Sequence, residues 1–243
     1  MSVWIADVAQ VSAAALDEWL AGPLDRGDRE RAASIRAPAR RAQMIVARTM
    51  LRTLLSAMVP VGAADWRFAV GAQGRPRIAA PEGTGLDFNL AHARDLVVVA
   101  IARGGAVGVD VERVDRKVDE AGLAARFFSA ADARAVADAS PAHRRRAFLE
   151  RWTLREAYTK ARGTGLLALA RDEVSFEVRT GGPVTGEIRA PGRAESAMWS
   201  FATLHPTTEH VAALAFRGDA SSARSLVVSL ARWDARAFTA ERV

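Results

Sequence analysis

The sequence predicts an α+β protein made of two similar halves, each with a long helix followed by several antiparallel strands. Two observations support this fold class. Helical patterns over 12–59 precede a series of short strand-like segments, and the same order of elements returns after residue 119. The two copies share no visible residue identity, so the repeat lies in the element order alone. A pseudo-twofold pair of this kind predicts a cleft between the halves.

In the first half, helical spacing of apolar residues is the main signal. One helix is predicted to end near Pro38, and a second runs over 39–58 until Pro60 ends it. A Gly-Gly pair at 104–105 predicts a tight hairpin into an apolar strand that begins near Val107. The strand-like segments before this pair lie at 66–70, 76–78, 86–90 and 96–102.

The second half repeats this order. We place the two halves at 1–104 and 105–217, and we expect 218–243, which is Ser-rich and then Ala/Arg-rich, to form a peripheral tail. Helices are predicted at about 119–127, 130–139 and 141–162, and strands at 174–178, 186–189, 198–204 and 210–216.

Composition restricts the class of function. The 243 residues contain no run apolar enough to span a membrane, and the N-terminus does not have the pattern of a signal peptide. The absence of cysteine excludes disulfides, thiolate metal sites and thiol nucleophiles, and it is compatible with a cytoplasmic protein. The net charge of +6 favours an anionic partner, which could be a polyphosphate ligand, an acidic protein or nucleic acid.

Two acidic motifs carry the chemistry. Asp110 and Glu112 lie two apart in the apolar run G-V-D-V-E, so a strand points both carboxylates to one face. Trp152, Glu156 and Lys160 recur every four residues, so a helix stacks them on one face. Each motif alone is equally typical of a solvated strand edge or an ordinary helix surface. Together they indicate a hard-cation site that handles phosphate.

Five blocks of sequence follow one another along the chain: G-R-P at 74–76, F-N-L-A-H-A at 88–93, G-V-D-V-E at 108–112, F-S-A-A-D at 128–132 and W-T-L-R-E-A-Y-T-K-A-R-G-T-G-L at 152–166. In these blocks and in their order, the chain resembles the 4′-phosphopantetheinyl transferases of the larger, surfactin-synthetase-associated (Sfp-like) type. The resemblance has departures: Arg75 and Arg155 replace lysines, Ala91 and Ala93 replace serines, and Asp132 replaces a glutamate.

The resemblance implies that the active cleft lies between the two halves, and it implies a reaction and a set of roles. The 4′-phosphopantetheine group of coenzyme A would pass to a serine of an acidic acyl or peptidyl carrier protein, releasing 3′,5′-ADP. Mg²⁺, with Mn²⁺ as the alternative, would be held by Asp110, Glu112 and Glu156. Glu156 would be the general base and Lys160 would stabilise charge on the phosphate. The residues implied to contact coenzyme A are Arg31, Gly74, Arg75, Asn89, His92, Asp110 and Lys160.

Two other functions remain open at this point. A basic nucleic-acid-binding protein or a metal-dependent nuclease would account for the charge and the acidic residues, but not for N-L-A-H or T-K-A-R-G-T-G-L. A member of the family that has lost activity and only binds carrier proteins would require loss of the acidic residues or the lysine, and all four are present. We therefore expect no nucleic-acid and no membrane partner, with a monomer as the default state.

Overall fold

The structure is a computed structural model that describes residues 1–71, 74–178, 185–188, 196–219 and 228–234. Its first half starts with a strand, continues through three helices and ends in four strands. These are β1 (Ser2–Asp7), α1 (Ala13–Ala21), α2 (Arg26–Ser34), α3 (Pro38–Met58), β2 (Arg67–Val70), β3 (Pro76–Ala80), β4 (Leu86–Ala93) and β5 (Leu96–Arg103).

The second half repeats these eight elements in the same order, and one further strand follows it. The repeated elements are β6 (Ala106–Arg113), α4 (Glu120–Phe127), α5 (Ala130–Asp138), α6 (Pro141–Arg162), β7 (Val174–Glu177), β8 (Thr185–Ile188), β9 (Trp199–Thr207) and β10 (His210–Arg217). The additional strand is β11 (Ser229–Arg232).

Strand pairing shows the same repeat. In the first half the order is β11-β1-β5-β4, and in the second it is β6-β10-β9. In each half the first strand therefore pairs with the last, which pairs with the one before it, and the hairpins β2–β3 and β7–β8 stand apart. The prediction of two similar α+β halves is confirmed.

Each long helix covers its own sheet because one of its faces is apolar. Ile45, Met50 and Leu54 of α3 join Val97 and Val99 of β5 in one core. Tyr158 and other residues of α6 join Ala213 and Ala215 of β10 in another. A third core, which includes Val98 and Val109, lies between the two sheets. The two halves are thus joined by apolar packing over their sheets.

Strand β1 was not predicted from the sequence. Val3 and Ile5 belong to the core between the sheets, whereas Ala6 belongs to the core under α3. Because both faces of β1 contact apolar cores, its sequence lacks the alternation that marks a half-buried strand.

Two other expectations were wrong. Strands β5 and β6 do not form a hairpin around Gly104, because they belong to different sheets and the turn carries the chain from one half to the other. Nor is all of 218–243 peripheral. In the described part of that segment, β11 pairs with β1 in parallel and Trp233 packs edge-on against Trp19 at a centroid distance of 5.2 Å. Residues 220–227 and 235–243 lie outside the described residues.

Candidate active site

Asp110 is held at the contact between β6 and α6. It is only 8% exposed, and Lys160 Nζ lies 2.7 Å from its Oδ1 atom. The same ammonium donates to the carbonyl of Val109 at 3.1 Å. Lys160 therefore joins the strand that carries the first motif to the helix that carries the second.

Gly108 allows this contact to form. A Cβ atom built on Gly108 would lie 2.0 Å from the carbonyl oxygen of Ala157 and 2.6 Å from the amide nitrogen of Ala161. Both atoms belong to the backbone of α6, so no side-chain adjustment could relieve the clash. The glycine of G-V-D-V-E is thus required for the helix to approach closely enough for Lys160 to reach Asp110.

The three carboxylates predicted at the site affect one another. Burial, assisted by the charge of Asp110, raises the pKa of Glu112 to about 7 and also raises the pKa of Glu156. Burial likewise raises the pKa of Asp110, against the opposing effect of Lys160. Arg116 forms an ion pair with Glu112, and its guanidinium lies 5.8 Å from the centroid of the Trp152 ring. The carboxylates therefore share one electrostatic environment with two cations close by.

These residues fit a divalent cation in the type of donor they offer. Carboxylate oxygens are the ligands that Mg²⁺ prefers, and the buried Oδ2 atom of Asp110 makes no hydrogen bond. As the side chains stand, however, no three Asp, Glu, His or Cys residues in the described ranges are grouped closely enough to hold a metal ion. Lys160 and Arg116 occupy the carboxylates of Asp110 and Glu112 instead.

Asp110, Glu112, Glu156 and Lys160 are called the acidic cluster below. A basic cavity of about 630 Å³ lies beside this cluster, between the α2–α3 connection and the end of β4. Arg31 and His92, both predicted to contact coenzyme A, line it together. Arg36, Arg40 and Arg48 line it as well, and sequence reasoning missed these three. A signal was available, because 40, 44 and 48 lie four apart and share one face of α3.

Two residues of this cavity show how its charge is arranged. The Nη1 atom of Arg48 is buried and makes no hydrogen bond, although Nε lies 3.3 Å from Asp28. Desolvation, together with the charges of Lys160 and Arg40, lowers the pKa of His92. Because Lys160 belongs to the acidic cluster and Arg40 to the cavity, His92 lies within the field of both.

The remaining residues predicted to contact coenzyme A lie elsewhere. Gly74 is an exposed turn residue between β2 and β3, with φ of 80°. The buried side chain of Asn89 accepts a hydrogen bond from the amide of Val109 at 3.0 Å. Arg75 donates to protein groups of both halves. These three stay predictions as coenzyme A contacts, but Arg75 and Asn89 already have partners within the protein.

Arg155, which stands where the resemblance implies a lysine, is turned away from Asp110. It is 1% exposed and donates to the carbonyls of Ala170, Arg171 and Val174. Its guanidinium thus fixes the chain that follows α6, because a planar group with several donors can bind three carbonyls at once.

Comparison with known proteins identifies the class to which this fold and site belong. A family model described as the 4′-phosphopantetheinyl transferase superfamily matches residues 106–215, from the first residue of β6 into β10. Together with the relatives described next, this match shows that the chain belongs to that superfamily and is a 4′-phosphopantetheinyl transferase.

Individual relatives agree. The 4′-phosphopantetheinyl transferase HetI of Nostoc sp. is 27% identical over 82% of this chain and 81% of its own length. The 4′-phosphopantetheinyl transferase AcpT of Escherichia coli is 32% identical over 59% of this chain and 67% of its own length. The 4′-phosphopantetheinyl transferase ffp of Bacillus subtilis is 28% identical over 57% of this chain and 59% of its own length.

Proposed function

We propose that this protein transfers the 4′-phosphopantetheine group of coenzyme A to a serine hydroxyl of an apo acyl or peptidyl carrier protein, releasing 3′,5′-ADP. One juxtaposition supports the proposal. A cavity lined by Arg31, Arg40 and Arg48 adjoins an acidic cluster that contains Lys160, and His92 lies in the field of both. The cavity suits the phosphates of the nucleotide, and the cluster suits the pyrophosphate that reacts.

The residues of the cluster divide the chemistry between them. The serine oxygen forms a bond to the phosphorus that carries pantetheine, while the anhydride bond from this phosphorus to 3′,5′-ADP breaks. Glu156 accepts the serine proton, because it is a carboxylate on the same face of α6 as Lys160. Lys160, one helical turn further on, stabilises the negative charge on the phosphate oxygens.

Mg²⁺ is the metal we propose, with Mn²⁺ as the alternative, and Asp110, Glu112 and Glu156 would hold it. When bound, it would neutralise charge on the pyrophosphate. Asp110 offers an unpaired buried oxygen for this purpose, whereas Glu112 is paired with Arg116.

The net positive charge supports an acidic protein partner. A net charge of +6 favours an acidic carrier protein, because complementary fields raise the association rate. Among the described residues no helix has the length and apolar character needed to cross a membrane. A cytoplasmic monomer stays the expectation from the sequence.

The direct test is to incubate the protein with coenzyme A, Mg²⁺ and an apo carrier protein, and to measure the intact mass of the carrier. We expect addition of one phosphopantetheine group, and a rate at least about 100-fold lower for Asp110→Asn and Glu156→Gln. Asp115→Asn is the matched control, because this exposed carboxylate pairs only with Arg113 among the described residues. An unmodified carrier would refute the proposal, and Mg²⁺-dependent cleavage of nucleic acid would favour the nuclease.

A further inference from the structure

The guanidinium of Arg75 is bound by three different elements. Nη1 donates to the carbonyl of Ala161 at 2.5 Å, and Nη2 donates to Asp87 Oδ2 at 2.5 Å and to the carbonyl of Val107 at 2.9 Å. Ala161 lies in the last turn of α6, where carbonyls lack helical partners and the helix dipole favours a cation. An arginine of the first half therefore caps the helix of the second.

Asp87 completes this arrangement on the strand side. Its Oδ2 atom accepts the amide of Val107 at 2.8 Å, so both backbone groups of Val107 are bound by the Arg75–Asp87 pair. Strands β4 and β6 lie in close contact but belong to different sheets. At Val107 the edge of β6 that faces the first half is therefore held by side chains instead of a backbone ladder.

The bonded groups are direct neighbours of the active site. Val107 lies three residues before Asp110, and Ala161 immediately follows Lys160. One planar guanidinium thus joins the start of the acidic strand to the end of the helix that carries Lys160. We infer that Arg75, with Asp87, is a positioning pair that fixes Lys160 relative to Asp110, and that the Arg75 guanidinium does not bind coenzyme A. The kcat measurement that tests this inference rests on the proposed function.

A lysine at position 75 could not make this set of hydrogen bonds. A guanidinium presents several donors in one plane, whereas an ammonium on a flexible stem presents a single point charge. The three acceptors of Arg75 come from β4, β6 and α6. We therefore expect Arg75→Lys to recover little of the function lost in Arg75→Met.

The test separates turnover from ligand binding. Arg75→Met and Asp87→Asn should each lower kcat about 10- to 100-fold, while the Kd of coenzyme A measured by calorimetry changes less than about threefold. The double variant should be no slower than the slower single variant, because both changes break the same unit. Arg77→Met is the matched control, since Arg77 is an exposed arginine of β3, two positions after Arg75.

Other results would overturn the inference. If Arg75→Met weakened coenzyme A binding tenfold while Asp87→Asn did not, Arg75 would be a phosphate ligand. A wild-type kcat in Arg75→Met would leave it a merely structural link. If that variant failed to fold, Arg75→Lys and Asp87→Asn would be judged by the same criteria.

Hydrogen exchange provides a readout that is independent of catalysis. Amides of β6 and of the end of α6 should exchange faster in Arg75→Met than in Arg77→Met. Unchanged exchange in Arg75→Met would refute the positioning role, whether or not the wild type is active. An inactive wild type would count against the proposed function alone.

Discussion

Substituting alanine for Gly108 tests the dependence of the site on close approach of a helix to a strand. The new Cβ would lie 2.0 Å from the carbonyl oxygen of Ala157, and an ordinary contact starts at 3.4 Å. The gap must widen by 1.4 Å, the difference between these two distances. Since Lys160 is on the same helix and 2.7 Å from Asp110, a shift of this size breaks their ion pair.

Two effects of different size should follow. Overpacking a well-packed contact costs about 1–3 kcal/mol of unfolding free energy, which is measurable by urea denaturation. Displacing a catalytic group by about 1 Å lowers turnover roughly 100-fold, which is measurable by carrier-protein modification. The activity loss should therefore exceed what the lost stability explains, because the folded population stays dominant.

Gly165→Ala is the matched control. Gly165 also lies in a motif of the site, but a Cβ there meets nothing within 4 Å and its φ is −82°. We expect this variant to retain stability and turnover. Wild-type activity in Gly108→Ala would refute the reasoning, because α6 could then move without consequence for the site.

Three further predictions concern charge. His92, whose pKa is lowered, should bind phosphate better once protonated, so coenzyme A affinity should rise as the pH falls below about 6.5, the ordinary pKa of histidine, and calorimetry should show no such rise in His92→Gln. Arg116→Gln should tighten Mn²⁺ binding several-fold by calorimetry, since Arg116 competes for Glu112, and equal affinity in Arg116→Gln and the control Arg113→Gln would contradict this. Arg52 is 1% exposed and paired with Asp25 and Asp28, so Arg52→Met should lower the free energy of unfolding by about 3–5 kcal/mol. The control Arg67→Met, at an exposed arginine, should lower it by less than about 1 kcal/mol, and urea denaturation measures both.

Elements with a strong pattern were predictable from sequence. Helix α6 was predicted at its observed bounds, because Pro141 begins it and Gly163, with φ of 70°, ends it. Strand β1 was missed, because a strand with apolar cores on both faces resembles any short apolar run. The hairpin at Gly104 was wrongly predicted because the local turn signal carries no information about which strands pair.

The candidate site was predictable to a similar degree. Spacing placed Asp110 and Glu112 on one strand face, and the ion pair of Lys160 with Asp110 joins the two motifs. Spacing places Arg40 and Arg48 on one face of α3, but it could not reveal that Arg31 of α2 lines the same cavity, because that depends on how the two helices pack. Nor could it show that Arg75 is already bound by protein groups, because its partners lie 12, 32 and 86 residues away in sequence.

The final strand has a consequence for stoichiometry. One edge of β6 pairs with β10 and the other faces β4 of the first half. In the first half, the corresponding edge of β1 is occupied by β11. Strand β11 thereby covers the edge of β1 that corresponds to the edge of β6 facing β4. Within the part of the chain that the structure describes, the architecture is doubled, but of the two first strands only β6 has an edge without a paired strand, so one equivalent of coenzyme A should saturate each chain.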